Sequence, residues 1–324
     1  MYSSDNNNLH NVEIESNQIL NLIESLGDDK LTAFFKQMDY TEEEKILYLY
    51  QQLSIKPKYD KDGKLLPVSE TDQLAAVNKD GYAIRKIPNP SEEVQLAAVN
   101  KNGFAIDYIK NPSEKVQLAA VNKDGLAIYN IIKKGINPSE DVQLAAVNNK
   151  GYVIEYIKNP SEDVQLAAVN KDGDTIIYII QKGIIPSEDV KLAAVNEDSS
   201  AIQYIKNPSE DVQWAAVNKD GTAIEYIIQK GIIPSEDVQL AAVNDYGFAI
   251  SYIINKGIKP SEDVQLAAVN EDGTAIEYII KIGIIPNEDV QLAAVNENGT
   301  AIAYIKNPSE KVKQLARNKG IKNV

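Results

Sequence analysis

With 324 residues, 44% of them hydrophobic and 25% charged, the chain is rich enough in apolar residues to fold rather than stay disordered. A net charge of −14 argues against gripping nucleic acid by its phosphates, which needs a basic stripe, and the absence of cysteine excludes disulfides, thiolate metal sites and cysteine nucleophiles. No apolar run approaches membrane length and the polar opening Met1–Asn11 has no apolar signal core, so the expectation is a soluble cytoplasmic protein with neither a membrane nor a direct nucleic-acid partner.

Residues 1–66 carry a net charge of −5. They read as three helices, Glu13–Leu26, Asp29–Met38 and Thr41–Leu53, the last opened by a Thr41…Glu44 capping box. A turn-rich linker from Ile55 to Pro67 follows. Its Asp60-Lys61-Asp62-Gly63 echoes a calcium loop but lacks the remaining ligands and the closing Glu, so turn chemistry accounts for it. This segment is either a helical cap or a separate partner-binding module.

From residue 67 a unit recurs eleven times: Pro-Ser-Glu-Asp-Val-Gln-Leu-Ala-Ala-Val-Asn, a polar turn, Gly, then x-Ala-Ile-x-Tyr-Ile. Its first Ser falls at 69, 91, 113, 139, 161, 187, 209, 235, 261, 287 (an Asn) and 309, giving periods of 22 or 26 residues. Units this small cannot bury their own apolar face and must stack on their neighbours. The expected fold is therefore all-α: an α-solenoid of about eleven short two-helix repeats, with the array over 67–308 and a degenerate capping repeat over 309–324.

One copy shows the local logic. Ser91 is a natural N-cap, with Glu92 and Glu93 in the first turn, although Asn89 before Pro90 satisfies the same rules. Val94, Ala97 and Ala98 form an inner face widened by Leu96 and Val99, with Gln95 pointing outward. Asn100-Lys101-Asn102-Gly103 breaks the chain, Gly or Asn taking the left-handed conformation. A second helix is expected over about Phe104 to Lys110. In the 26-residue copies, such as Tyr226-Ile227-Ile228-Gln229-Lys230-Gly231-Ile232, four added residues supply about one further turn, with Gly231 as C′. Whole-turn insertion keeps the core continuous and leaves a ragged edge. At the ends, Asp72 replaces the usual Val, Lys86 the usual Tyr, and Lys311–Arg317 make a helix with one solvated face.

The core Val-x-Leu-Ala-Ala-Val-Asn-x-x-Gly-x-Ala-Ile-x-Tyr resembles the repeat of the family known as domain of unknown function 4116, found in giant viruses, some bacteria and protists. The resemblance covers roughly residues 67–318; the Pro-Ser-Glu opening and the 26-residue variant depart from it. The family has no assigned activity, so the resemblance implies a helical repeat and carries over no functional residue.

Catalysis finds little here. The only His, His10, lies in a polar stretch, and the acids sit at helix starts, where capping explains them. No catalytic residue, metal site or cofactor is expected. The recurring Asn78, Asn100, Asn122 and their equivalents are expected to cap carbonyls and bridge to the next copy. The Tyr ladder (Tyr108, Tyr156, Tyr178, Tyr204, Tyr226, Tyr252, Tyr278, Tyr304) is expected in the core with a bonded hydroxyl.

What varies between copies is the residue after Gly and the one three further on, which share a face. The candidate binding residues are Tyr82, Arg85, Phe104, Asp107, Leu126, Tyr129, Tyr152, Glu155, Ile177 and Phe248. A constant framework carrying a changing stripe predicts a non-enzymatic scaffold that binds a protein or peptide. Packing of the stripe between copies, or on the N-terminal helices, is the other reading. An acidic decoy for a nucleic-acid-acting host protein and a structural spacer are the alternative functions.

Overall fold

The computed structural model describes residues 41–61 and 63–322, and the fold is an all-helical solenoid of eleven stacked copies. Among the described residues there is no sheet, only an isolated bridge between Tyr59 and Leu65. The expected helices Glu13–Leu26 and Asp29–Met38 lie outside the described residues. The third is Glu42–Gln52; Thr41 and Glu44 form the expected capping box, Glu44 Oε2 accepting from the Thr41 amide at 2.7 Å. Asp60 makes a turn, its side chain accepting from the Lys64 amide at 2.9 Å.

Each copy opens with an α-helix, from Glu70–Lys79 in copy 1 through Glu288–Glu297 in copy 10 to Glu310–Asn318 in copy 11. Successive first helices pack on one another to form one layer. The N-cap is the Ser of Pro-Ser-Glu, so Ser91 and not Asn89 caps copy 2. The same hydroxyl donates to the first-turn Glu of the preceding copy: Ser309 to Glu288 at 2.6 Å, and likewise Ser91 to Glu70, Ser113 to Glu92 and Ser209 to Glu188. One side chain thus closes its own helix and ties it to the last. The expectation for Gln95 is corrected. It is turned inward, donating from Nε2 to the Pro90 carbonyl at 2.9 Å, and its counterparts Gln117, Gln165, Gln213, Gln239 and Gln265 are buried doing the same. An exposed Gln would leave that loop carbonyl unpaired.

The second elements form the other layer, and here the expectation of a helix in every copy needs refining. In the five 22-residue copies the element is a six-residue 3-10 helix, Gly103–Tyr108 in copy 2. Only a few residues separate it from Asn111-Pro112, and a residue before Pro avoids the α conformation. The 26-residue copies have room for α geometry: Ala127–Lys133, Ile176–Gln181, Ile224–Gln229, Ala249–Asn255 and Ile276–Lys281. Gly231 ends its helix with φ +78°, the C′ role expected of it.

The glycine that opens most of the second elements has a different cause from the one expected. Gly103 is not left-handed. A Cβ there would lie 2.7 Å from the Ala120 carbonyl oxygen of the next copy, inside van der Waals contact, and Gly247 stands in the same relation to Ala268 at 2.8 Å. Recurrent Gly and recurrent Ala are two sides of one close approach between copies.

A single hydrophobic cluster runs from Tyr50 to Ala316, built of Val, Ala and Ile with little or no exposure. The ragged edge is real: Ile185 and Ile285, just past long second helices, are 88% and 89% exposed. Where a long copy follows a short one, its Lys reaches back over the step. Lys134 donates to the Ile109 carbonyl at 3.1 Å, Lys230 to Ile205 at 2.6 Å, and Lys182 to Glu155. Burial pushes the ammonium groups of Lys182 and Lys230 down from their ordinary value. Where long follows long, Lys256 is exposed and Ile282 replaces the Lys altogether.

The deviant end copies are explained by their neighbours. Lys86 donates to the Gln52 carbonyl at 3.0 Å, and Lys58, 2.6 Å from Asp72, holds that carboxyl below its usual value. In the last helix Val312 and Ala316 are buried, while Lys311 and Arg317 face solvent. No helix among the described residues is long and apolar enough to cross a membrane.

Candidate functional site

The second-element layer positions the variable stripe. In a 3-10 turn residues three apart eclipse, so Phe104 and Asp107 stand on the outer side while Ala105, Ile106 and Ile109 fill the core. Asn102 fixes the start of the turn, accepting from the Phe104 amide at 3.0 Å, and Asp124 does the same for Leu126 at 2.9 Å. Of the ten candidates, Tyr82, Arg85, Asp107, Tyr129, Tyr152 and Glu155 are exposed; Phe104, Leu126, Ile177 and Phe248 are half-buried.

The Tyr ladder is not in the core. Tyr108 and Tyr304 are exposed and the six between them half-buried, because the phenol outreaches the space left above Ala and Ile. Three ladder rings instead meet an aromatic stripe residue of the copy before. Tyr82 meets Tyr108 edge-on, with centroids 5.9 Å apart; Tyr129 meets Tyr156 at 5.0 Å; Phe248 meets Tyr278 at 5.7 Å. At two Glu-bearing stripe positions the carboxylate lies near the next ladder phenol and helps to raise its pKa: Glu225, after burial, for Tyr252, and Glu277 for Tyr304. Stripe and ladder are therefore one surface, and packing between copies is what orients it. Burial pushes the Tyr156 phenol up from its ordinary value, helped by Glu155 and its Tyr neighbours.

One stripe position is strained electrostatically. Thr222 and Thr274 each donate to the capping Asp two residues back at 2.6 Å, but copy 5 has Asp174 there. Its Oδ1 is buried without a hydrogen bond, and burial, then Asp198 and Asp172, push its pKa up. Asp174→Thr should restore the capping bond and stabilise the protein at pH 7 by about 1 kcal/mol in urea unfolding. The native carboxyl, with its folded pKa above the unfolded one, contributes stability at low pH that is lost as pH rises through the folded value. The gain from the substitution should therefore shrink on acidification through the carboxylate range. An equal gain at every pH would contradict this account.

The Asn column is also corrected. Asn78, Asn100, Asn122, Asn148, Asn170, Asn196, Asn218, Asn244, Asn270 and Asn296 lie in the last turns of the first helices, all exposed. Among the described residues none of their side chains has a hydrogen-bond partner. Capping of the next element falls to the residue before Gly, as with Asn102 and Asp124. Trp214, the single Trp, replaces the usual half-buried Leu and is 47% exposed. Its substitution into Leu-Ala-Ala-Val was the one signal that could have marked it. Among the described residues no group of His, Asp and Glu could hold a metal ion. No family model matches the chain, and no curated protein matches it.

Proposed function

We propose that this protein is a non-enzymatic interaction scaffold, holding a protein or peptide along the outer face of its second-element layer. The observation that carries this is the run of exposed rings, Tyr82, Tyr129 and Tyr152, over a framework that barely changes from copy to copy. Two of these rings are braced edge-on by the next copy's Tyr, which lowers the entropy lost when a partner lands on them. Phe104 and the exposed Arg85, Asp107 and Glu155 would add shape and charge around them. Membership of the resembled family is part of the proposal, on the Leu-Ala-Ala-Val core, as is a cytoplasmic setting, on the lack of cysteine.

The test is affinity capture from cell lysate with wild type beside a variant carrying Tyr82→Ser, Phe104→Ser, Tyr129→Ser and Tyr152→Ser, each washed at low and high salt. A partner that survives high salt and is reduced at least tenfold in the variant is expected, since an apolar face is nearly salt-indifferent. Retention by the variant refutes the assignment; retention combined with loss in salt supports the acidic decoy.

A further inference from the structure

The first-helix layer has an outward face of its own. In copy 8, Asp237, Leu240, Ala241 and Asn244 fall at i, i+3, i+4 and i+7, one stripe along the helix, and copy 7 places Asp211, Trp214 and Asn218 in the same register. Between these two helices lies a hollow of about 770 Å³. Its apolar floor is Trp214, Leu240 and Ala241, its rim carries Glu210, Asp211 and Asp237, and no Lys or Arg lines it. Among the described residues none of those three carboxylates has an ion-pair partner, whereas Asp245 at the far end is occupied with the Gly221 amide at 2.7 Å.

We infer that this groove binds an extended, basic peptide segment. An Arg or Lys side chain of the segment lies over the Trp214 indole between Asp211 and Asp237, and Asn218 and Asn244 hydrogen-bond its main chain. Trp is the best aromatic partner for a cation, and carboxylates on either side add to the attraction. A side-chain amide offers both a donor and an acceptor, the complement of a peptide unit, and these amides have no partner among the described residues. Helices packed about 8–10 Å apart present one amide per roughly three residues of extended chain at about 3.3 Å each, so successive Asn residues can serve one strand in register.

Charge excludes copies 2 and 3, and the indole sets this junction apart from copies 5 and 6, which carry the same Asp position with Leu166 and Leu192 where Trp214 stands. The equivalent hollow between copies 2 and 3, of about 530 Å³, is lined by Lys115 and Lys123 and by no carboxylate, and would repel the same segment. This site lies in the other layer from the aromatic stripe and does not depend on it.

Trp214 being the only Trp, its fluorescence reads the site directly. The probe is the amidated peptide (Arg-Ser-Ala)4, with (Glu-Ser-Ala)4 as control. A saturable change in Trp emission with the Arg peptide alone is expected, with Kd rising at least tenfold in Asp211→Asn/Asp237→Asn and also rising with salt. The variant Asp163→Asn/Asp189→Asn, at the same helix position in copies 5 and 6, and the four-Ser stripe variant should both bind as wild type. No saturable change, equal binding by Asp211→Asn/Asp237→Asn, or equal loss in the copy 5 and 6 variant, which would mean a diffuse acidic surface, overturns the proposal. The stripe variant separates the two sites: failure here leaves the stripe standing, and failure of the stripe leaves this site standing.

Discussion

Gly221→Ala is expected to destabilise the protein by about 3 kcal/mol in urea unfolding, at the upper end of what overpacking costs. The added methyl would overlap the Ala242 carbonyl oxygen more closely than any counterpart at Gly103 or Gly247, and would stand 3.1 Å from Tyr246 Cβ. Both neighbours are held by the stack: Ala242 accepts the helix-ending bond from the Tyr246 amide at 3.0 Å, so its carbonyl cannot turn away. Gly231→Ala is the control. It has open space around it and φ +78°, so only the left-handed strain of about 1–2 kcal/mol applies. The cost should also be graded along the array. At Gly151 the approach is looser, 2.9 Å from the Ala168 carbonyl oxygen, and in copy 6, another short copy, the position is occupied by Ser199. An Ala at Gly221 that costs no more than one at Gly231 would mean that the copies are not packed this closely.

Lys230→Met should cost about 1.5–2 kcal/mol, and Lys256→Met close to nothing, although both lysines precede the closing Gly of a long copy. Lys230 follows a short copy and its ammonium serves the Ile205 carbonyl at 2.6 Å; Met keeps the apolar stem and leaves that carbonyl unpaired. The estimate is kept near the lower end for a charged hydrogen bond because the site is only half-buried. Lys256 follows a long copy, where the neighbouring helix covers the step, and it lies in solvent. Unfolding of the two variants side by side decides it. Equal effects would show that the alternation of long and short copies is not what recruits the lysine.

What a single copy dictates was legible in the sequence. The Ser N-cap, the buried Val and Ala, the C′ glycine of long copies and the amphipathic last helix all follow from periodicity and capping, and the structure has them. What was missed depends on contacts between copies. Gly103 looked like a helix terminator because Ala120, which requires it, lies in the next unit. Tyr108 looked like core because Tyr82, against which it rests, belongs to the unit before. Gln95 was misplaced for a local reason: its partner is a loop carbonyl whose need for a donor no hydrophobic pattern reveals. The stripe itself was legible, since variation among near-identical copies isolates it. The Trp214 groove was not, because its parts are either constant, like Asn218 and Asn244, or a single exception.

Native-state hydrogen exchange, resolved copy by copy in wild type and Gly221→Ala, tests the stacking most directly. Stability in a nearest-neighbour array resides in its junctions, so the substitution should strip protection from the first helices of copies 7 and 8 while leaving copies 1 to 4 unchanged. An equal loss of protection in every copy would contradict it, showing one indivisible domain in place of a stack.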